Sequence, residues 1–192
     1  MNTVNVQSAI ECFLNGKVGI FPTDTAFGVG CRMDDENAVK RVFEVKERAL
    51  NNALLVLVDS IEMAEKYVEI PDEVRQQLTD KHWPGGLSIF LKTKKGMVLP
   101  LVTAGTDILA VRWPDHKVME HIIHEVGLPI IATSANKTGG VTPYSMEDID
   151  KKILEKVDFV LPGVCTYMKE STILDTTVVP WKKIREGAVK LD

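Results

Sequence analysis

The stretch Val18-Gly19-Ile20-Phe21-Pro22-Thr23-Asp24-Thr25 decides how the chain is read. The run 18–21 predicts a short strand. Pro22 ends it, because proline lacks the N–H that a ladder needs. Polar Thr23, Asp24 and Thr25 then stand at the strand's mouth. The same plan returns further on: the run 108–111 ends in Arg112, and the run 130–132 ends in Thr133-Ser134-Ala135-Asn136. Cations, hydroxyls and amides thus gather where several strands run out, which is where open α/β sheets bind ligands.

Helical patterns fill the intervals. Val6, Ala9, Ile10, Phe13 and Leu14 recur at helical spacing, and Asn15-Gly16 stops that helix. Ala38, Val39, Val42, Phe43 and Lys46 share the next helical face. The continuous apolar run 54–58 predicts a strand covered on both faces. Ser60 caps a helix to about Val68, and Pro71-Asp72 opens another that ends near Trp83-Pro84-Gly85-Gly86. Residues 87–92 and 108–112 read as strands, Val118 to Val126 as a helix stopped by Gly127, and 129–133 as a strand. Ser145 with Asp148 predicts a capping box for a helix to about Val157. The runs 159–161, 171–176 and 177–179 read as short terminal strands, and Gly28-Val29-Gly30 as a turn. Strands alternate with helices, so the class is α/β. The segments 94–107 and 162–170 break the alternation, which predicts a mixed sheet.

At 192 residues and 45% hydrophobic, the chain suffices for one domain with a real core, expected over 1–192. Net charge is −4, from 23 basic and 27 acidic residues, which argues against bulk attraction to nucleic acid and leaves a local basic face open. The three cysteines are far apart and form no C-x-x-C pair, as in a reduced intracellular protein. Residues 1–7 lack a leader pattern, and no apolar run approaches the roughly 18 residues of a membrane span. A cytoplasmic protein without membrane attachment is expected.

The Walker pattern is absent, and Gly28-Val29-Gly30 lacks the third glycine of a dinucleotide fingerprint, since Met33 stands there. A nucleotide would therefore be held by side-chain cations and polar loops. Lys46 and Arg48 lead, two apart at a helix end and followed by Asn51-Asn52. Arginine chelates two phosphate oxygens and lysine adds a mobile charge. The same pair would also simply complement a helix C-terminus. Thr133-Ser134-Ala135-Asn136, then Gly139-Gly140, offers donors and acceptors or a solvated turn. Arg112 closes a buried strand and needs a partner, either a substrate carboxylate or a structural Asp or Glu. His121 and His124 lie at i,i+3 without an H-E-x-x-H pattern, so they read as a solvated helix face, and no metal site is predicted. His116 reads as starting the following helix. Trp83, Trp113 and Trp181 are dispersed and read as packing residues.

Further short motifs fall in order from about Gly16 onward. They are Pro22-Thr23-Asp24-Thr25-Ala26-Phe27-Gly28-Val29-Gly30, Lys46-Glu47-Arg48, Trp83-Pro84-Gly85-Gly86-Leu87-Ser88 and Val111-Arg112-Trp113-Pro114-Asp115-His116. Ser134-Ala135-Asn136, Ser171-Thr172-Ile173-Leu174-Asp175 and Arg185-Glu186-Gly187 complete the series. In this order the motifs resemble the YrdC/Sua5 family of threonylcarbamoyl-AMP synthases, in its short form without an extra C-terminal domain. Ala49 and Ala53 replace usual prolines, Leu57 stands where longer members tend to carry histidine, and Tyr144 replaces a usual threonine.

The resemblance implies a YrdC-like fold: a single-domain twisted mixed sheet with flanking helices and a concave, electropositive cavity. It implies a reaction joining L-threonine, bicarbonate and ATP into threonylcarbamoyl-AMP and pyrophosphate, for modification of adenosine 37 in tRNA. Arg48, Lys46 and Arg185 would hold the phosphates with Mg²⁺, with Lys46 and Arg48 as the catalytic cations. Asn136 and Asn52, with Tyr144, would fix the nucleotide. Thr25, Arg112, Ser134 and Ser171 would hold threonine. A downstream tRNA threonylcarbamoyl transferase complex would take the product, and weak RNA binding is compatible with the family. The alternatives are an RNA-binding module of the same fold and a paralogue without the activity. Intact Ser134-x-Asn136 favours the synthase, and the acidic net charge disfavours the RNA-binding module.

Overall fold

Helix α1 (Val6–Leu14) starts where the Asn5 side chain accepts from the Ser8 N–H, and it buries Ala9, Ile10 and Phe13. The structure is a computed structural model and describes residues 2–191; Met1 and Asp192, the two ends of the expected domain, lie outside the described residues. Helix α2 (Glu36–Lys46) starts on the Asp35 side chain and stops at Glu47, which is left-handed at φ 52°. Ser60 caps α3 (Ile61–Tyr67). Helix α4 (Asp72–Val74) runs through a π-type stretch, Arg75–Thr79, into α5 (Asp80–His82). Helix α6 (Lys117–Val126) starts where His116 Nδ1 accepts from the Met119 N–H, and left-handed Gly127 ends it at φ 71°. A short α7 covers Lys151–Leu154.

The strands are β1 (Gly19–Phe21), β2 (Gly28–Gly30), β3 (Leu55–Leu57), β4 (Leu87–Lys92), β5 (Ile108–Arg112), β6 (Ile130–Ile131), β7 (Thr133–Ser134), β8 (Phe159–Val160), β9 (Thr172–Asp175) and β10 (Lys182–Arg185). They form one sheet of order β7-β2-β1-β8 and another of order β10-β9-β4-β5-β3-β6. The pairs β1–β8, β3–β5 and β4–β9 are parallel, and the rest are antiparallel, so the arrangement is mixed as expected.

One run of chain lies in both sheets. Segment 130–134 pairs with β3 through β6 and with β2 through β7. Between them the Ala132 N–H donates to the Leu55 carbonyl at 2.9 Å, and further on the Ala135 N–H donates to the Phe27 carbonyl at 2.8 Å. The contact is close: a Cβ on Gly30 would lie 1.6 Å from the Ile131 carbonyl oxygen. Only glycine lets the backbones approach this far. Beneath, Phe13 packs edge-on against Phe21 and Phe159, with ring centroids 5.7 and 5.1 Å away. Helix α1 lies on β1 and α6, and α2 lies on β2.

Four local expectations are corrected. Gly28–Gly30 is a strand rather than a turn, because its missing side chains admit the neighbouring backbone. The run 129–133 splits into β6 and β7, as it changes sheets. The Ser145–Asp148 capping box is present but heads only a 3₁₀ turn, Met146–Asp148; buried Ile149 is extended, and Asp150 starts α7 separately. No strand forms at 177–179. Asp175 Oδ1 accepts from the Thr177 N–H at 2.9 Å and hydroxyl at 2.6 Å, which turns the chain, and pairing resumes only at β10.

Candidate active site

A cavity of about 530 Å³ collects side chains from both sheets. Its apolar walls include Phe27, Leu54, Phe90, Ile108 and Ile173. Its polar groups come from strand ends and the loops after them, as open α/β sheets arrange them.

Arg48 lies just past α2. Its Nη2 donates to the Ala53 carbonyl at 2.7 Å and its Nε to the Asn52 carbonyl at 3.4 Å, so the 48–53 turn is wrapped around the guanidinium. Partial burial lowers its pKa without approaching neutrality at ordinary pH. Lys46 sits behind the wall, 2% exposed. Its ammonium donates to the Ser134 carbonyl, to the Asn136 carbonyl at 2.7 Å and to Asn136 Oδ1 at 3.2 Å. These acceptors engage its three protons. A phosphate contact by Lys46 would require exchanging one of them.

The loop it holds is fixed further. Ser134 Oγ donates to Asn136 Oδ1 at 2.7 Å, and Asn136 Nδ2 donates to the Gly140 carbonyl at 2.6 Å. Outside, Lys137 donates to both Glu47 oxygens at 2.9 Å, and Lys156 to one at 3.0 Å. Lys137, then Lys156, hold the Glu47 carboxyl down at about 2.

Burial, with Arg48 nearby, lowers the Lys46 ammonium to about 8. The unfolded chain, with an ordinary lysine near 10.4, binds more protons between about pH 8 and 10.4. Stability therefore rises with pH across that window relative to a Lys46→Met variant. The expected gain is at most about 3 kcal/mol. Urea denaturation of both proteins at about pH 7.5 and about pH 10 checks this; a difference that stays flat or falls would refute it.

Arg112 ends β5 and is 2% exposed. Its Nη1 donates to Asp24 Oδ1 at 2.5 Å, and its Nη2 reaches Thr23 Oγ1 at 3.4 Å. So Arg112 has a structural acid as partner, while its buried Nε has no acceptor. On the opposite side, Ser88 Oγ donates to Ser171 Oγ at 2.9 Å. Arg185 donates to the same Ser171 hydroxyl at 3.1 Å, to its carbonyl at 3.0 Å and to Glu170 Oε1 at 2.8 Å. Thr142 Oγ1 also donates to Glu170 Oε1 at 3.2 Å.

Of the residues singled out in the sequence, Thr25, Arg48, Arg112, Ser134, Ser171 and Arg185 meet on the cavity wall. Lys46 and Asn136 are outside the lining, Lys46 buried and Asn136 half-buried. At the Asn51-Asn52 pair both residues are exposed, and the wall residue is Asn51 rather than Asn52. Tyr144 is outside the lining, with its N–H on Asp148 Oδ2 at 3.2 Å. Leu57 is fully buried in β3. Ser88, Thr142, Glu170 and Asp175 are wall residues that sequence reasoning leaves out. For Ser88 and Asp175 the signal is their place at the ends of matched motifs; Glu170 and Thr142 carry none.

Among the described residues, no three His, Cys, Asp or Glu side chains are grouped to hold a metal ion, and no helix is long and apolar enough to cross a membrane.

Three arginines, two of them paired with Asp24 and Glu170, thus share one cavity between the two sheets of a mixed α/β fold. The Sua5_yciO_yrdC family model, described as Telomere recombination, matches residues 11–187. The chain belongs to this Sua5/YciO/YrdC family. A Methanocaldococcus jannaschii protein is 38% identical over 93% of this chain and 83% of its own length. The threonylcarbamoyl-AMP synthase of Pyrococcus abyssi is 37% identical over 97% of this chain and 55% of its own, so the chain spans about half of that relative. The structure of P. abyssi Sua5 complexed with L-threonine matches with a TM-score of 0.90 at 32% identity, over 97% of this chain and 57% of that one.

Proposed function

We propose that the chain is an L-threonylcarbamoyladenylate synthase, acting as one domain in the cytoplasm. It would form threonylcarbamoyl-AMP and pyrophosphate from L-threonine, bicarbonate and ATP. The observation that carries the reading is the sharing of one cavity by Arg48, Arg185 and the buried Arg112. The first two suit phosphates and the third a carboxylate. The names of the relatives support the substrates.

The chemistry asks for placement rather than a protein nucleophile. The threonine ammonium gives up a proton, and the neutral amine adds to the carbon of bicarbonate; water leaves, giving a carbamate. A carbamate oxygen then attacks the α-phosphorus, the bond from that phosphorus to the bridging oxygen breaks, and pyrophosphate leaves. The protein aligns the reactants and stabilises charge on the phosphate oxygens. Arg48 and Arg185 take those oxygens, Arg185 exchanging Glu170 for phosphate. Lys46 adds charge from behind and keeps Ser134 and Asn136 in place. Asn136, Asn52 and Tyr144 hold the nucleotide; Thr25, Arg112, Ser134 and Ser171 hold threonine. Mg²⁺ would neutralise phosphate charge. It fits as an ion carried by ATP, since it needs only one or two carboxylates beside phosphates and water, and the wall offers Glu170 and Asp175. The product would pass to a downstream tRNA threonylcarbamoyl transferase complex, with weak RNA binding at most.

Pyrophosphate release from ATP and Mg²⁺, with pyrophosphatase present to prevent reversal, tests the reading. Release should require both L-threonine and bicarbonate. Release without threonine, or none from folded protein, would sink it.

A further inference from the structure

Asp24 governs Arg112 from beneath the cavity. It is completely buried. One carboxylate oxygen accepts from Arg112 Nη1 at 2.5 Å, and the other from the Asp115 N–H at 3.1 Å. Its backbone carbonyl accepts from the Tyr167 N–H at 2.7 Å. Asp24 is thereby tied at three points, to Arg112, Asp115 and Tyr167, and has little freedom to move. The other contact on the guanidinium, Thr23 Oγ1 at 3.4 Å, is long and weak.

The unmet Nε of Arg112 gives this arrangement its meaning. A buried donor without an acceptor is costly, and a guanidinium free to turn would relieve the cost by seeking one. Asp24 pins the Nη1 corner and prevents that. The Nε edge, with one Nη, is the fork that receives two oxygens of a planar anion. Arg112 lines the cavity while its Nε is closed off from solvent, so the missing acceptor can come only from a ligand seated against that wall.

We propose that Asp24 is a positioning residue, which fixes Arg112 so that its unmet Nε edge receives the carboxylate of the amino-acid substrate. This rests on the reading of L-threonine as substrate and deepens it: the carboxylate is the group selected. Asp24→Asn keeps the shape and an acceptor for the Asp115 N–H and removes the charge that holds the guanidinium.

The test is calorimetric titration of wild type and D24N with L-threonine and L-threoninamide, in which an uncharged amide replaces the carboxylate. A non-hydrolysable ATP analogue is titrated in parallel. Wild type should prefer L-threonine by about tenfold or more, the scale of a charge-assisted pair. D24N should lose about that factor for L-threonine, with threoninamide and the ATP analogue changed less than about twofold. Equal losses for both amino-acid ligands would mean a merely structural role and overturn the proposal, as would no loss. Wild type that binds neither ligand removes the functional reading and this inference together. Wild type that binds L-threonine, with D24N unchanged, removes this inference alone.

Should D24N not fold, arginine-selective NMR of the wild type decides. Separate Arg112 Nη signals before ligand, with an Nε shift on adding L-threonine and none on adding threoninamide, are the expected result. Averaged Nη signals would overturn the proposal.

Discussion

Arg48→Ala should slow pyrophosphate release by about 10²-fold or more, the scale seen when a preorganised charge-stabilising group is removed. Stability should change far less. The substitution removes hydrogen bonds to the Asn52 and Ala53 carbonyls. Each is worth on the order of 1 kcal/mol, and both acceptors lie in exposed residues where water can replace the arginine. The folded variant should therefore melt within a few degrees of wild type while its rate collapses. Arg48→Lys should recover only part of the rate, because an ammonium cannot chelate two phosphate oxygens as the guanidinium fork does. Initial rates with saturating threonine and bicarbonate, beside a thermal melt, read both quantities. A folded Arg48→Ala protein at full rate would remove Arg48 from the site.

The largest effect on folding is expected at Gly30. The added methyl of Gly30→Ala would sit 1.6 Å from the Ile131 carbonyl oxygen, well inside contact distance. That oxygen belongs to backbone in the segment bonded on both flanks, so it has no easy retreat. Moving it breaks the pairing that joins the sheets. The cost should exceed about 4 kcal/mol, the range reserved for a few severe mechanisms and a large part of a domain's typical stability. Urea denaturation, or recovery of soluble protein where the variant does not fold, measures it. A loss below about 1 kcal/mol would show that the junction yields where the structure holds it tight.

The sequence and the structure agree where a period or a stop signal is strong. Helix α1 matches its apolar spacing and its Asn15-Gly16 end, and α6 ends on Gly127 as its sequence predicts. Strands without apolar side chains are harder to see. Gly28-Val29-Gly30 reads as a turn because nothing in its text shows the backbone it must touch. Lys182-Lys183-Ile184-Arg185 is an edge strand with mostly exposed side chains, so it carries no buried face to recognise. The site divides in the same way. Arg112 announces itself, since a charge closing an apolar strand demands a partner, and the partner is an Asp as that logic allows. Ser88 does not, because its partner Ser171 lies 83 residues away. Lys46 is legible as a cation at a helix end, while its burial and its three acceptors depend on a loop some 90 residues downstream.

Segment 130–134 also makes the cavity a joint. Ser134 belongs to the smaller sheet and Arg112 to the larger, and the chain passes between the sheets at Ala132. A ligand held by both residues braces a corner. Any change in the angle between the sheets moves one half of its contacts against the other. The affinity of the cavity would then depend partly on parts that never approach it, such as the packing of α1 on α6. Substitutions there should loosen binding by opening the corner, with every wall residue still in place.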